Sequence, residues 1–148
     1  MTRTAHAPRE NDTLVAFMTE NHARLDRIYE QLIEALAANA PEARELWTAL
    51  DHGLLAHMEA EERFVLPAFA RVDRDEAVAL LREHGKLREQ LLELGIAVDL
   101  HFIRLDQGRA FIETLRAHAG REDRLLYRWA DERLDAALVD ATRRHLDR

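Results

Sequence analysis

Along the chain, apolar residues recur every three or four positions through four long stretches and a shorter fifth, the periodicity of a buried helix face. Leu14, Phe17, Leu25, Ile28, Leu32 and Leu36 mark the first stretch. Asn11, Asp12 or Thr13 can cap it, since each offers a side-chain oxygen to the unpaired N–H groups of a helix start, and it should end near Asn39, before Pro41. Pro41 suits the first turn of a second helix with Glu42 and Glu45 at its positive end. Leu46, Leu50, Leu54, Met58 and Val65 continue its apolar face, and Pro67 should end or kink it.

Asp73 and Asp75 can cap a third helix through Val78, Leu81, Leu87, Leu91 and Leu94, with Gly95 as its weak point or stop. A fourth carries Phe111, Leu115, Leu125, Leu126 and Trp129, and the boundary within Val98 to Asp106 is the least marked. Leu134, Leu138, Val139 and Leu146 predict a short fifth helix. The expected fold class is therefore all-α, an up-down-up-down four-helix bundle with a short C-terminal helix. Residues 1–11 read as a flexible N-terminal arm and 12–148 as a single domain, with the bundle over about 12–131 and an amphipathic tail over 132–148.

Composition agrees, because 5 Gly and 3 Pro leave few helix breakers. Cysteine is absent, which removes disulfides, zinc fingers, iron–sulfur ligation and thiol nucleophiles. Any metal must sit on nitrogen and oxygen. With 28 acidic against 21 basic residues and a net charge of −7, a nucleic-acid partner is not expected. The polar start of the chain and the lack of a long apolar run predict a soluble, cytoplasmic protein with no membrane partner, a monomer or a homodimer.

The chain repeats itself weakly. His57 to Ala70 aligns with His118 to Asp131, sharing the His, a Glu four residues on and an Arg, while His22-Ala-Arg-Leu25 aligns with His84-Gly-Lys-Leu87. The intervals His22 to His57 and His84 to His118 are 35 and 34 residues, which predicts a pseudo-twofold relation between the two halves of the bundle.

Residues four apart on a helix share a face, so His57 with Glu61 and His118 with Glu122 each present an imidazole and a carboxylate together. Among eight His and sixteen Glu, chance supplies about one such pair; His6 with Glu10 is one. Context carries more weight: both pairs lie on apolar seams, and the helix before each contributes one core-spaced His. A lone buried His is usually a hydrogen-bonded core residue. Four imidazoles and two carboxylates buried together cost several kcal/mol per unpartnered group, and metal ions supply the missing partner. Without sulfur, His22, His57, Glu61, His84, His118 and Glu122 suit two non-haem iron ions bridged by two carboxylates, with zinc or manganese as alternatives. Such a set leaves an open position at both metals, where a small ligand can bind.

The other histidines, His6, His52, His101 and His145, read as structural or surface residues. Asp26, four after His22, is a weaker candidate beside the site, because its counterpart is Arg88. Tyr29, two turns after His22, can equally bring a phenol near the metals or serve as core. Tyr127, Trp47 and Trp129 read as packing.

This series of His22, His57 with Glu61, His84, and His118 with Glu122 resembles the hemerythrin-like HHE cation-binding domain, over about residues 12–131. Glu61-Glu62 leading to Leu66-Pro67 and Glu122-Asp123 leading to Leu125-Leu126-Tyr127 resemble it too. The oxygen-carrying hemerythrins have a fifth His where this chain has Arg88, and close with His and Asp five apart. Reversible oxygen carriage is therefore not what the resemblance implies. The four-His, two-Glu type is similar to di-iron proteins of oxidative and nitrosative stress, either repairing iron centres or handling peroxide; the repair type usually adds a cysteine-bearing domain that this sequence lacks.

Two function classes follow. In one, a redox enzyme turns over hydrogen peroxide or NO with electrons from an unidentified donor. In the other, a module senses or stores O2, NO or iron without turnover. Beside these two stands a helical bundle that never meets metal, the least favoured reading.

Overall fold

The computed structural model describes residues 13–147 and is helical with short connections. The elements are α1 (Leu14–Ala37), α2 (Ala43–Ala60), a π-helical turn (Glu61–Val65), α3 (Leu66–Phe69), α4 (Arg74–Asp99), α5 (Leu105–Arg124), α6 (Leu126–Arg133) and α7 (Ala136–Leu146). They form four rods, namely α1, α2 with the π turn and α3, α4, and α5 with α6. Consecutive rods are neighbours, α1 closes the ring against α5, and α7 lies across the π turn, α2 and α1. This is the expected up-down-up-down bundle with a short C-terminal helix. The expected N-terminal arm, His6 and the caps Asn11 and Asp12 lie outside the described residues.

Local chemistry sets the starts and stops. The Thr13 hydroxyl accepts the Ala16 N–H at the start of α1, and Asp73 and Asp135 cap α4 and α7 in the same manner. Asp75 lies in the first turn of α4, where the helix dipole favours an anion. α1 and α4 end alike: Asn39 and His101 take positive φ of 50° and 58°, and the next residues, Ala40 and Phe102, donate back to Ala35 and Ala97, at 2.8 Å each. These are paired left-handed helix stops. Asn39 and His101 stand in the same relation as His22 and His84, so the internal repeat extends to the caps.

Three expectations need correcting. α4 runs through Gly95 to Asp99; Gly95 is no stop but a close approach, since a Cβ there would meet the Trp47 indole nitrogen at 3.2 Å. Leu81 is exposed, because the buried face of α4 is Ala77, Leu80, His84, Leu87, Leu91 and Val98. Leu125 is also exposed, because the fourth rod breaks there, with φ −112° and ψ −62°, before α6 resumes.

The second rod passes through Pro67 as far as Phe69, and its irregularity comes earlier, where the Leu66 N–H bonds to the Glu61 carbonyl five residues back. Pro67 has no N–H and its ring crowds the carbonyl of Arg63, so widening the preceding turn relieves the clash.

The apolar interior is divided along the bundle. One core contains Leu25, Leu32, Trp47, Leu54, Leu87, Leu91, Phe111 and Leu115, and the other Leu14, Met18, Val65, Leu66, Leu80, Leu126 and Tyr127. His22, His57, Glu61, His84, His118 and Glu122 fall between these two groups on every rod, as a polar layer enclosed by apolar layers. No described helix is long and apolar enough to cross a membrane.

Candidate metal centre

Each rod delivers its ligand candidates where sequence spacing puts them. His22 comes from the middle of α1, His57 from the last turn of α2, Glu61 from the start of the π turn, His84 from α4, and His118 with Glu122 from α5. All but His22 are buried, and His22 is nearly so. The rings meet in the pairs that the repeat implies: His22 Nε2 lies 3.0 Å from His57 Nε2, and His84 Nε2 lies 3.1 Å from His118 Nε2.

Glu122 stands between the pairs. Its Oε1 is 3.5 Å from both His22 Nε2 and His57 Nε2, and its Oε2 is 3.3 Å from His118 Nε2 and 3.6 Å from His84 Nε2. Two groupings with metal-ligand geometry result, His22, His57 and Glu122, and His84, His118 and Glu122, sharing the one carboxylate. Glu61, expected from the sequence to bridge, approaches the first group, with Oε1 2.8 Å from His57 Nε2.

The outer ring nitrogens fix the tautomers. His57 Nδ1 donates to Asn21 Oδ1 (2.6 Å), His84 Nδ1 to Glu62 Oε2 (2.9 Å) and His118 Nδ1 to Glu83 Oε2 (2.6 Å). Amide and carboxylate oxygens only accept, so the ring protons sit on Nδ1 and the Nε2 lone pairs face inward. The carboxylates are themselves held: Glu62 by Arg88 at 2.7 Å, and Glu83 by Arg121 at 2.8 Å, with Arg121 also gripping Glu76. Arg88 thus steadies the acceptor of His84. His22 is held least: Asp123 Oδ1 is 3.3 Å from its Nδ1 but out of line for a hydrogen bond, leaving that buried nitrogen without one.

Inward-facing lone pairs and carboxylates repel unless positive charge lies among them. Both oxygens of Glu61 and Oε2 of Glu122 are buried with no hydrogen-bond donor among the described residues, the 2.8 Å approach to His57 being lone pair against lone pair. Protons can relieve this in part. Burial and the Glu122 charge push the Glu61 carboxyl well above the usual range. Burial would push Glu122 up as well, but the Glu61 carboxyl and the rings of His118, His22 and His57 outweigh it, so Glu122 is the ionised partner. His118 would be lowered by burial, yet Glu122 and Glu83 hold it up to about 9. The donor set, nitrogen and carboxylate oxygen without sulfur around buried orphan atoms, fits divalent metal ions.

Sequence reasoning missed Tyr127. Its hydroxyl lies 3.0 Å from His57 Nε2, 3.2 Å from His22 Nε2 and 3.4 Å from Glu122 Oε1. Burial and the nearby Glu122 charge keep it a phenol. In an unbroken helix Tyr127 would be turned about 140° from Glu122; the break at Leu125 brings it inward. The repeat held a signal, because Tyr127 aligns with Leu66, a core position where a hydroxyl must find a partner. Tyr29 is buried in the core about 10 Å along α1 from His22, too far along the axis to join the rings. Asp26 binds Arg116 at 2.6 Å on the surface, and His52 is exposed.

His57→Ala is expected to lower bound metal by about half or more, and His52→Ala to leave it unchanged, as read by elemental analysis of the purified proteins. Equal metal in the two variants would remove His57 from the centre.

A family model described as hemerythrin HHE cation binding domain matches residues 13–130, from the cap of α1 into α6. Comparison with curated proteins and with solved structures finds no match.

Proposed function

The chain belongs to the hemerythrin HHE cation binding domain family, and from that premise we propose that it is a non-haem di-iron protein that binds or turns over a small oxidant, hydrogen peroxide or NO, in a stress response. The observation that carries this reading is the pair of Nε2 contacts at 3.0 and 3.1 Å arranged about Glu122, with ring protons held outside. His22 and His57 would hold one iron, His84 and His118 the other, with Glu122 shared and Glu61 on the His57 side. Bound iron supplies one-electron redox chemistry and open coordination positions.

The chain's own residues supply the rest. Glu62, Glu83 and Asn21 orient three rings so that no ring must turn to bind. The apolar layers on either side exclude bulk water and strengthen each electrostatic contact inside. Tyr127, on the His22 and His57 side, presents a phenol O–H to whatever small oxygen- or nitrogen-bearing molecule enters there. Disproportionation of peroxide is balanced by peroxide itself, whereas reduction of NO draws on an external electron donor.

The test is metal content and peroxide or NO turnover of freshly purified protein, beside Tyr127→Phe. The reading expects about two irons per chain, turnover, and a loss of about tenfold or more in rate for Tyr127→Phe at unchanged iron content. Bound iron without turnover of either molecule would favour sensing or storage of O2, NO or iron. A stable bundle that binds no metal would sink the di-iron reading.

A further inference from the structure

Of the six converging side chains, the two rings of α1 and α5 reach surface clefts, and they reach different ones. His22 lies in the wall of a cleft of about 350 Å³ between α1 and α5, with Asp26, Tyr29, Arg116 and Asp123, kept open by the small residues Ala119 and Gly120. His118 lies in a smaller cleft of about 170 Å³ between α4 and α5, with Glu83, Lys86 and Thr114.

Charge separates the two openings. In the α1–α5 cleft Arg116 is matched by Asp26, at 2.6 Å, and by Glu30 at the rim, and Asp123 adds a third carboxylate beside His22. In the α4–α5 cleft the carboxylate of Glu83 is already shared between His118 and Arg121, and Lys86 adds positive charge. A cleft with an excess of carboxylates and low-dielectric walls concentrates cations; the α4–α5 cleft, where Glu83 and Glu76 are offset by Arg121 and Lys86, has no such excess.

The rings differ as well. His57, His84 and His118 are pinned through Nδ1 to Asn21, Glu62 and Glu83, while His22 Nδ1 has, among the described residues, only the out-of-line carboxylate of Asp123 at 3.3 Å, and His22 is the most exposed of the six, at 12 %. It is the ring that can move to meet an incoming ion without breaking a hydrogen bond on its outer nitrogen.

We propose that the α1–α5 cleft is the route by which a divalent cation is loaded into the buried centre, with Asp26, Glu30 and Asp123 drawing it inward and His22 receiving it first. This rests on the metal-binding reading above and concerns how the centre is filled, not the chemistry it performs. The remaining candidates, His57, Glu61, His84 and Glu122, are 2 % exposed or less and offer an approaching ion no hold from outside.

The full chain, stripped of metal, is mixed rapidly with Co2+, and uptake is followed by the visible absorption of the bound ion, with final cobalt content measured separately. The cleft variant Asp26→Asn with Glu30→Gln is compared with Glu89→Gln with Glu93→Gln, equal in charge change and exposed on α4. The cleft variant is expected to load about threefold to tenfold more slowly at low salt and to reach the same final content. That difference should shrink near 1 M salt, where screening acts within about 3 Å. Arg116→Gln should load faster than the unaltered chain. Equal loading rates in the cleft and α4 variants, or no acceleration in Arg116→Gln, would overturn the route while leaving the centre in place. An unaltered chain that takes up no Co2+ would overturn the metal reading and the route with it.

Discussion

Replacing Glu122 by Gln is expected to empty the centre, taking bound metal to well below half of what the unaltered chain holds. Glu122 has one oxygen toward each pair of rings, at 3.5 Å from His22 and His57 on one side and 3.3 and 3.6 Å from His118 and His84 on the other. A single substitution therefore removes an anionic ligand from both groupings at once. The amide also turns an N–H2 donor toward one ring pair and carries no charge to offset a dication. Glu61→Gln should be milder and one-sided, because the described contacts of Glu61 with the rings lead to His57; about half of the metal should remain. Glu113→Gln, exposed on the same helix, serves as the control. Elemental analysis after anaerobic reconstitution with Fe2+ reads the outcome, and circular dichroism checks that the bundle has formed. Full metal in Glu122→Gln would mean that Glu122 is not the shared ligand.

That Glu122 and its five companions meet was legible in the sequence, because helical geometry is local. Four-residue spacing places His57 with Glu61 and His118 with Glu122 whatever the tertiary structure, and the apolar seam around each His fixes which way it faces. The repeat then pairs the helices, and the matched stops at Asn39 and His101 carry that repeat into the backbone. What the periodicity did not reveal lies where the helices depart from 3.6 residues per turn. The π turn at Glu61–Val65 and the break at Leu125 each change which residues face inward. An unbroken helix predicts Leu125 inside and Tyr127 outside, and the structure has the reverse.

The outer shell of the centre was less legible for a different reason. Asn21, Glu62 and Glu83 are each next in sequence to a ligand candidate, yet each serves a ring on another rod: Asn21 holds His57, Glu62 holds His84 and Glu83 holds His118. A residue adjacent to an inward-facing one points sideways on its helix, which is where the neighbouring rod lies. Asp123 follows the same rule beside Glu122 but reaches His22 out of line. The spacing of such residues carries no period of its own, and only the packing of the rods tells which ring each will meet.

Stripping the metal is expected to lower the midpoint of thermal unfolding by about 10 °C near neutral pH. A ligand at about a thousand times its dissociation constant stabilises by roughly 4 kcal/mol, and a domain of this size shifts by about 2–4 °C per kcal/mol. The gap should depend on pH, with a sign set by the protons that occupy the stripped centre. His118, lowered by burial but raised further by Glu122 and Glu83, is held up to about 9. Its stabilising charge is thus fully present below the ordinary histidine value near 6.5 and is lost as pH rises through about 9. Glu122 acts in the opposite sense: held well below the usual carboxylate range, it stabilises above that range and stops doing so on acidification. The stripped protein should therefore lose stability between about pH 6.5 and 9. The loaded protein should not, because a bound ion competes with the same proton on His118 and binds more tightly as that proton leaves. Thermal melts of both forms across this range should show the gap widening with pH. A gap that is constant or narrows would mean that His118 is not among the groups the metal displaces protons from.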